Sequence, residues 1–168
     1  MSNSPDPVKQ NIIDWCREDN LACVDASSQN TQFTFALLIA NTVIIYKQPH
    51  LPNRIYIQSP IDISPEHQNL IETKPEIKKN LMIQLPILAT QFDINANYIA
   101  PENILTRINL FKIHFHSTIN KADFLRLFLR VQQVSNAILT QLGTLLGVEL
   151  AKSLAEQSQS DSNNPAIQ

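Results

Sequence analysis

Glycine is almost missing from this chain. Of 168 residues only Gly143 and Gly147 are glycine. That absence excludes several kinds of chemistry. A P-loop needs glycines so that its backbone amides can cradle phosphate. A dinucleotide-binding turn needs them for its close approach to pyrophosphate, and a nucleophile elbow needs them for its strained turn. Helix ends and tight turns must therefore be built from Asn, Asp, Pro and Ser. Cysteine is scarce too. Cys16 and Cys23 are the whole complement, too few for a disulfide framework, and a reducing compartment keeps such residues as thiols. An excess of positive charge is also absent, with 13 Lys and Arg against 15 Asp and Glu for a net charge of −2. That argues against nucleic acid, whose phosphates demand clustered cations, and against a polybasic membrane surface. Long apolar runs are missing as well. The stretch 33–46 is broken by Asn41-Thr42, and 134–151 carries Ser135, Asn136, Gln141 and Glu149, whereas a membrane helix needs ~20 mostly apolar residues. Residues 1–7 have neither a basic nor an apolar segment of the signal-peptide kind. The expected compartment is the cytoplasm, with neither nucleic acid nor membrane as partner.

What is present is enough for one folded domain. Hydrophobic residues make up 43% of the chain, ample apolar area to offset ordering entropy. Asp6-Pro7 reads as an N-cap followed by proline at the first helical position. Val8, Ile12, Trp15 and Cys16 then mark one apolar face of a helix running to about residue 19. Strands are expected at 21–25, 33–40, 43–47 and 54–63, with Asn41-Thr42 as a two-residue hairpin turn. Pro60 should bend the last of these or confine it to an edge.

Ser64-Pro65-Glu66 starts a helix that ends by Thr73. A second helix starts at Pro75 with Ile77, Leu81, Leu85, Leu88 and Phe92 on one face, and Pro86 should kink it. A short strand is expected at 97–100 and a long one at 104–117. In the long strand Phe111, Ile113 and Phe115 alternate with Lys112, His114 and His116, which predicts a buried apolar face and a wet polar one. Asn120 caps the last helix. Phe124, Leu127, Phe128, Val131, Val134, Ile138, Leu142 and Leu145 form its apolar stripe, and at 1.5 Å per residue it spans roughly 45 Å by position 150. The blocks imply an α+β fold, an antiparallel sheet flanked by helices, with a long C-terminal helix. The expected organisation is a flexible N-terminus at 1–5, a single domain at 6–152, and a disordered polar tail at 153–168.

The helix start Ile63-Ser64-Pro65-Glu66-His67, the block Ile108-Asn109-Leu110-Phe111-Lys112-Ile113 and the stretch Asn120-Lys121-Ala122-Asp123-Phe124 carry a likeness. With the strand pattern, over residues 6–150, this order resembles the fold of type III secretion chaperones. It is also similar to an uncharacterised archaeal and cyanobacterial family of that fold. Pro86 and the length of the last helix depart from the pattern. The resemblance implies a small homodimer that holds a protein client, and it brings no catalytic residue and no cofactor with it.

The candidate sites are few. His114 and His116 project from one strand face beside Lys112, a polar ligand face for a small molecule or metal. Two imidazoles fall short of a zinc site, which takes three or four ligands. Cys16 and Cys23 read as small core residues, and their redox activity is left open. The acids are scattered and none stands inside an apolar run, so no general acid–base pair emerges. RNA binding on a sheet wants exposed aromatics, yet Phe111 and Phe115 read onto the apolar face. Gly143 and Gly147 make a small-xxx-small pattern that lets helix backbones approach. With Phe128, Val131, Val134, Ile138, Leu142 and Leu145 they form the candidate interface, since large apolar patches mark interaction sites. The expectation is a non-catalytic protein-binding module, chaperone- or adaptor-like and homodimeric. A small-ligand protein or enzyme using the His114/His116 face is the alternative.

Overall fold

The computed structural model describes residues 6–25, 33–39, 41–48, 50–116 and 118–162. The chain runs α1 (Pro7–Glu18), β1 (Cys23–Asp25), β2 (Phe33–Ile39), β3 (Asn41–Lys47), β4 (Ile55–Asp62), α2 (Pro65–Thr73), α3 (Pro75–Gln91), β5 (Asn95–Ile99), β6 (Arg107–His114) and α4 (Lys121–Ser162). The six strands form one antiparallel sheet in the order β1-β2-β3-β4-β6-β5. This is the α+β architecture expected from the segregated blocks. Among the described residues no helix is long and apolar enough to cross a membrane.

Local chemistry sets the helix ends. The Asp6 side chain accepts the Val8 amide at 2.9 Å at the start of α1, and the Ser64 side chain caps α2 by accepting the His67 amide at 3.5 Å. The shortage of glycine shows at the C-termini. α1 ends with the Leu21 amide bonded to the Cys16 carbonyl at 2.7 Å and the Asn20 amide bonded to the Arg17 carbonyl at 3.3 Å. α3 ends the same way, Ile94 to Ala89 at 3.0 Å and Asp93 to Thr90 at 2.9 Å. These are paired helix-terminating bonds that require a left-handed residue, usually glycine. Here Asn20 (φ 54°) and Asp93 (φ 57°) take that role, as short polar side chains tolerate that region best. Pro86 lies inside α3 without ending it.

The helices cover one face of the sheet. Register places Ile45, Lys47, Ile55, Ile57, Ile61, Ile108 and Leu110 on that face, and all are buried. α4 packs on β3, β4 and β6 through Phe124, Phe128, Val131, Val134, Ile138, Leu142 and Leu146. At its centre the buried hydroxyls of Ser59 and Ser135 bond at 2.9 Å. α1 lies beside it, with Trp15 against Phe124 at 5.7 Å between ring centroids. Its cap residue Asp6 forms a buried ion pair with Lys47 of β3 at 3.0 Å.

Three expectations change. The hairpin turn lies earlier than Asn41-Thr42: both residues are in β3, Asn41 pairs with Ile39, and residue 40 between them lies outside the described residues. The stretch 153–162, expected as disordered tail, continues α4 to Ser162, giving 42 residues and about 63 Å of helix. No helix breaker follows Gly147 until Pro165, so the established helix propagates. Residues 1–5 and 163–168 lie outside the described residues. The third change, the facing of β6, defines the candidate site.

Candidate functional site

β6 carries apolar residues at both alternating positions: Ile108 and Leu110 at one, Phe111 and Ile113 at the other. Pairing with β4 decides between them. Ile108 stands opposite Ile61 and Leu110 opposite Ser59, so these two turn inward. Phe111 and Ile113, expected on the buried face, lie on the opposite side, where they are half-buried. Phe115, just beyond the strand, is 63% exposed. Lys112 and His114, expected on the wet face, lie on the helix-covered one. A slip of one position exchanges the two faces, and the longer apolar alternation at 111–115 pointed the wrong way.

The helix-free face is therefore apolar and aromatic, and register arranges it in rows. Val24, Ile44, Gln58, Phe111 and Asn95 lie in one row; Tyr46, Tyr56 and Ile113 lie in the next. The rings of Tyr46 and Tyr56 stack at 4.8 Å with 6° between planes, and the Tyr46 hydroxyl donates to Gln58 Oε1 at 3.3 Å. Burial, with the neighbouring Tyr56, pushes the Tyr46 hydroxyl above its ordinary pKa. Pro60, Asn109 and Asn97 form a further row toward the end where Asp62 and Arg107 pair as ions. At the other end the Arg54 guanidinium sits 5.5 Å from the centre of the Phe115 ring. Between Arg54 and the Asp62–Arg107 pair, no described side chain on this face carries a charge.

The polar residues singled out in sequence are partly brought together. His114 Nε2 lies 2.9 Å from the Thr118 carbonyl. A carbonyl only accepts, so that nitrogen carries the hydrogen. His114 and His116 have ring centroids 5.1 Å apart and line a cleft of about 540 Å³ with Asn53, Phe115, Thr118, Ile119, Asn120 and Asp123. Lys112 is not in that cleft. It pairs with Asp93 at 2.6 Å and holds that carboxyl below its ordinary pKa. The Asp123 oxygens are engaged by Asn120 at 2.8 Å and Arg126 at 2.6 Å. Among the described residues no group of three His, Cys, Asp or Glu could hold a metal.

The candidate interface on α4 is placed differently from expectation. Phe128, Val131, Val134, Ile138 and Leu142 are buried in the chain's own core and offer no free surface. The sheet consumes the apolar stripe that the helix length suggested was spare. Gly143 and Gly147 are exposed, with open space around a built Cβ at either. The Leu145 side chain lies outside the described residues. The sheet face itself was missed in sequence. The signal that could have found it is the excess of apolar positions in β6 and the adjacent aromatics of β3 and β4.

A crystal structure of an uncharacterized protein from Methanothermobacter thermautotrophicus is similar over 82% of this chain and 97% of that one, with a TM-score of 0.71 and 16% identity. That likeness shows a shared fold. The crystal structure of YbjN, a putative transcription regulator from E. coli, covers 87% of this chain and 94% of its own at a TM-score of 0.48 and 9% identity. Nothing among curated proteins matches the chain. The family pattern described as "Uncharacterized conserved protein (DUF2299)" matches residues 8–142, and the chain belongs to that family.

Proposed function

We propose that this DUF2299 member is a non-catalytic protein-binding module that pairs with a second copy of itself through the helix-free face of its sheet. The observation that carries the reading is a pair of neighbouring rows, Ile44 with Phe111 and Tyr46 with Tyr56 and Ile113, over which no described element packs. A sheet that is apolar on both faces needs a packed layer on each. The described helices supply one, and a second copy lacks the same layer. Two such sheets can pack about 10 Å apart with strands within about 30° of each other.

The contact is isologous, the same patch meeting itself. Its uncharged centre places no like charges in opposition, and it lacks the cations that a phosphate backbone requires. Area bounds the affinity. Strands 4.7–4.9 Å apart, most of them five to eight residues long, give a footprint of about 500 Å² per copy. That is about 1,000 Å² in total, the lower edge for specific interfaces, so the dimer should dissociate with dilution. The resemblance to small homodimeric secretion chaperones expected from the sequence would fit this reading, and a protein client is the further partner it would suggest.

The test is oligomeric mass against concentration for the full chain and for Phe111→Glu. Concentration-dependent dimer in the native chain, lost in Phe111→Glu with secondary structure intact, is the expected result. A native chain that stays monomeric throughout would sink the proposal.

A further inference from the structure

Cys16 and Cys23 sit on different elements, and the backbone brings them together. α1 stops at the left-handed Asn20, and the Leu21 amide returns to the Cys16 carbonyl itself at 2.7 Å. The chain thus doubles back, and β1 begins at Cys23 two residues later. Cys23 pairs with Leu37 and shares a row with Val43, whose side chain is fully buried under the helices. It therefore faces the helix layer and packs against the core to which Cys16 belongs. The two thiols are within hydrogen-bonding reach of each other, and neither is held in a disulfide. Core packing alone would be served by two small apolar residues; two sulfurs in contact are also the reactants of a disulfide.

We propose that Cys16 and Cys23 form a modification site, a dithiol that closes to an intramolecular disulfide when it meets a two-electron oxidant of the peroxide class. The two cysteines have unequal roles. Cys16 is buried, and its thiol is pushed up by the hydrogen bond with Cys23, then by burial, with Asp19 adding to both. Cys23 is half-buried and is the more open of the two residues, the one assigned to meet the oxidant. The Cys23 thiolate attacks one peroxide oxygen: an S–O bond forms, the O–O bond breaks, and the leaving hydroxide takes up a proton as water. Cys16 sulfur then attacks Cys23 sulfur: the S–S bond forms, the S–O bond breaks, and the hydroxyl leaves with the Cys16 proton as a second water. Two thiols lose two electrons and the peroxide becomes two waters. The bond would anchor the C-terminal end of α1 to edge strand β1, while the Asp6–Lys47 pair already anchors its start.

The test uses the full reduced chain treated with dilute hydrogen peroxide, then alkylated and weighed under denaturing, non-reducing conditions. The expected product is an intramolecular species lighter by two hydrogens and restored by dithiothreitol. Cleavage after Arg17 should leave the Cys16 and Cys23 peptides joined. Cys16→Ser should accumulate a sulfenic acid at Cys23 that a dimedone probe traps, whereas Cys23→Ser should leave Cys16 unlabelled. Cys23 is half-buried, so its serine variant carries the test if Cys16→Ser does not fold. Over-oxidation of Cys23 without cross-linking in the native chain, equal labelling of Cys16 in Cys23→Ser, or disulfides only between chains would each overturn the proposal.

Discussion

Replacing Lys47 with methionine should unfold this protein more readily than any comparable surface change. Lys47 Nζ lies 3.0 Å from Asp6 Oδ2, and the two side chains are only 7% and 8% exposed. Asp6 also caps α1, accepting the Val8 amide at 2.9 Å. Removing one partner of a buried pair leaves the other charge desolvated, a cost of about 3–5 kcal/mol. In Lys47→Met the carboxylate keeps its cap bond and the favourable end of the helix dipole, each worth up to about 1 kcal/mol, so about 3 kcal/mol is expected. Asp6→Asn preserves a capping side chain but strands the ammonium, and should cost a similar amount. The double variant buries no charge. It should therefore lose no more than either single variant, a coupling of about 3 kcal/mol. Urea unfolding followed by circular dichroism measures each variant, with an unchanged slope confirming that stability alone has moved. Single losses under about 1 kcal/mol, the scale of an exposed pair, or a double variant as weak as the sum of the singles, would refute the reasoning.

Two further outcomes follow from the same structure. Asn20→Ala keeps a Cβ in the left-handed region that ends α1 but removes the short polar side chain that tolerates it, and should cost about 1 kcal/mol, while Asn20→Gly should hold or raise stability; thermal melts of both variants check the sign. The Tyr98 hydroxyl is buried without a hydrogen-bond partner among the described residues, and burial pushes its pKa up to about 12. Tyr98→Phe should then stabilise by about 1 kcal/mol at neutral pH by removing an unsatisfied polar group. Because the folded-state pKa is raised, the native tyrosine's part in stability is intact below about pH 10, its unfolded value, and is lost as pH rises toward 12. Urea titrations from pH 9 to 12 should show that decline in the native chain and a flatter profile in Tyr98→Phe.

Much of the fold follows from signals only a few residues long. Asp6-Pro7 and Ser64-Pro65 start helices because a side-chain acceptor and a preset φ act on the next turn alone. The near absence of glycine predicts that Asn and Asp must end helices, and Asn20 and Asp93 do so. The periodic stripe from Phe124 to Leu142 marks α4 as a helix with one apolar side. Such patterns record which residues are apolar and how often they recur, and that determines element type and order.

Which surface each apolar side meets was left to the tertiary structure. The stripe of α4 is the same whether it meets a second copy or the chain's own sheet, and the pairing of β3, β4 and β6 turned it inward. β6 carries two interleaved apolar sets, so period-2 patterning is degenerate there, and only the register with β4 chose Ile108 and Leu110 for the core. That choice left Phe111 and Ile113 beside Tyr46 and Tyr56 on the helix-free face and drew Lys112 to Asp93. Lys47 with Asp6 is a contact made across 41 positions, and a local pattern cannot encode it. The sequence by itself determined the type and order of the elements, because those depend on neighbours along the chain. The facing of the sheet, and with it the candidate docking surface, came from packing many distant residues at once.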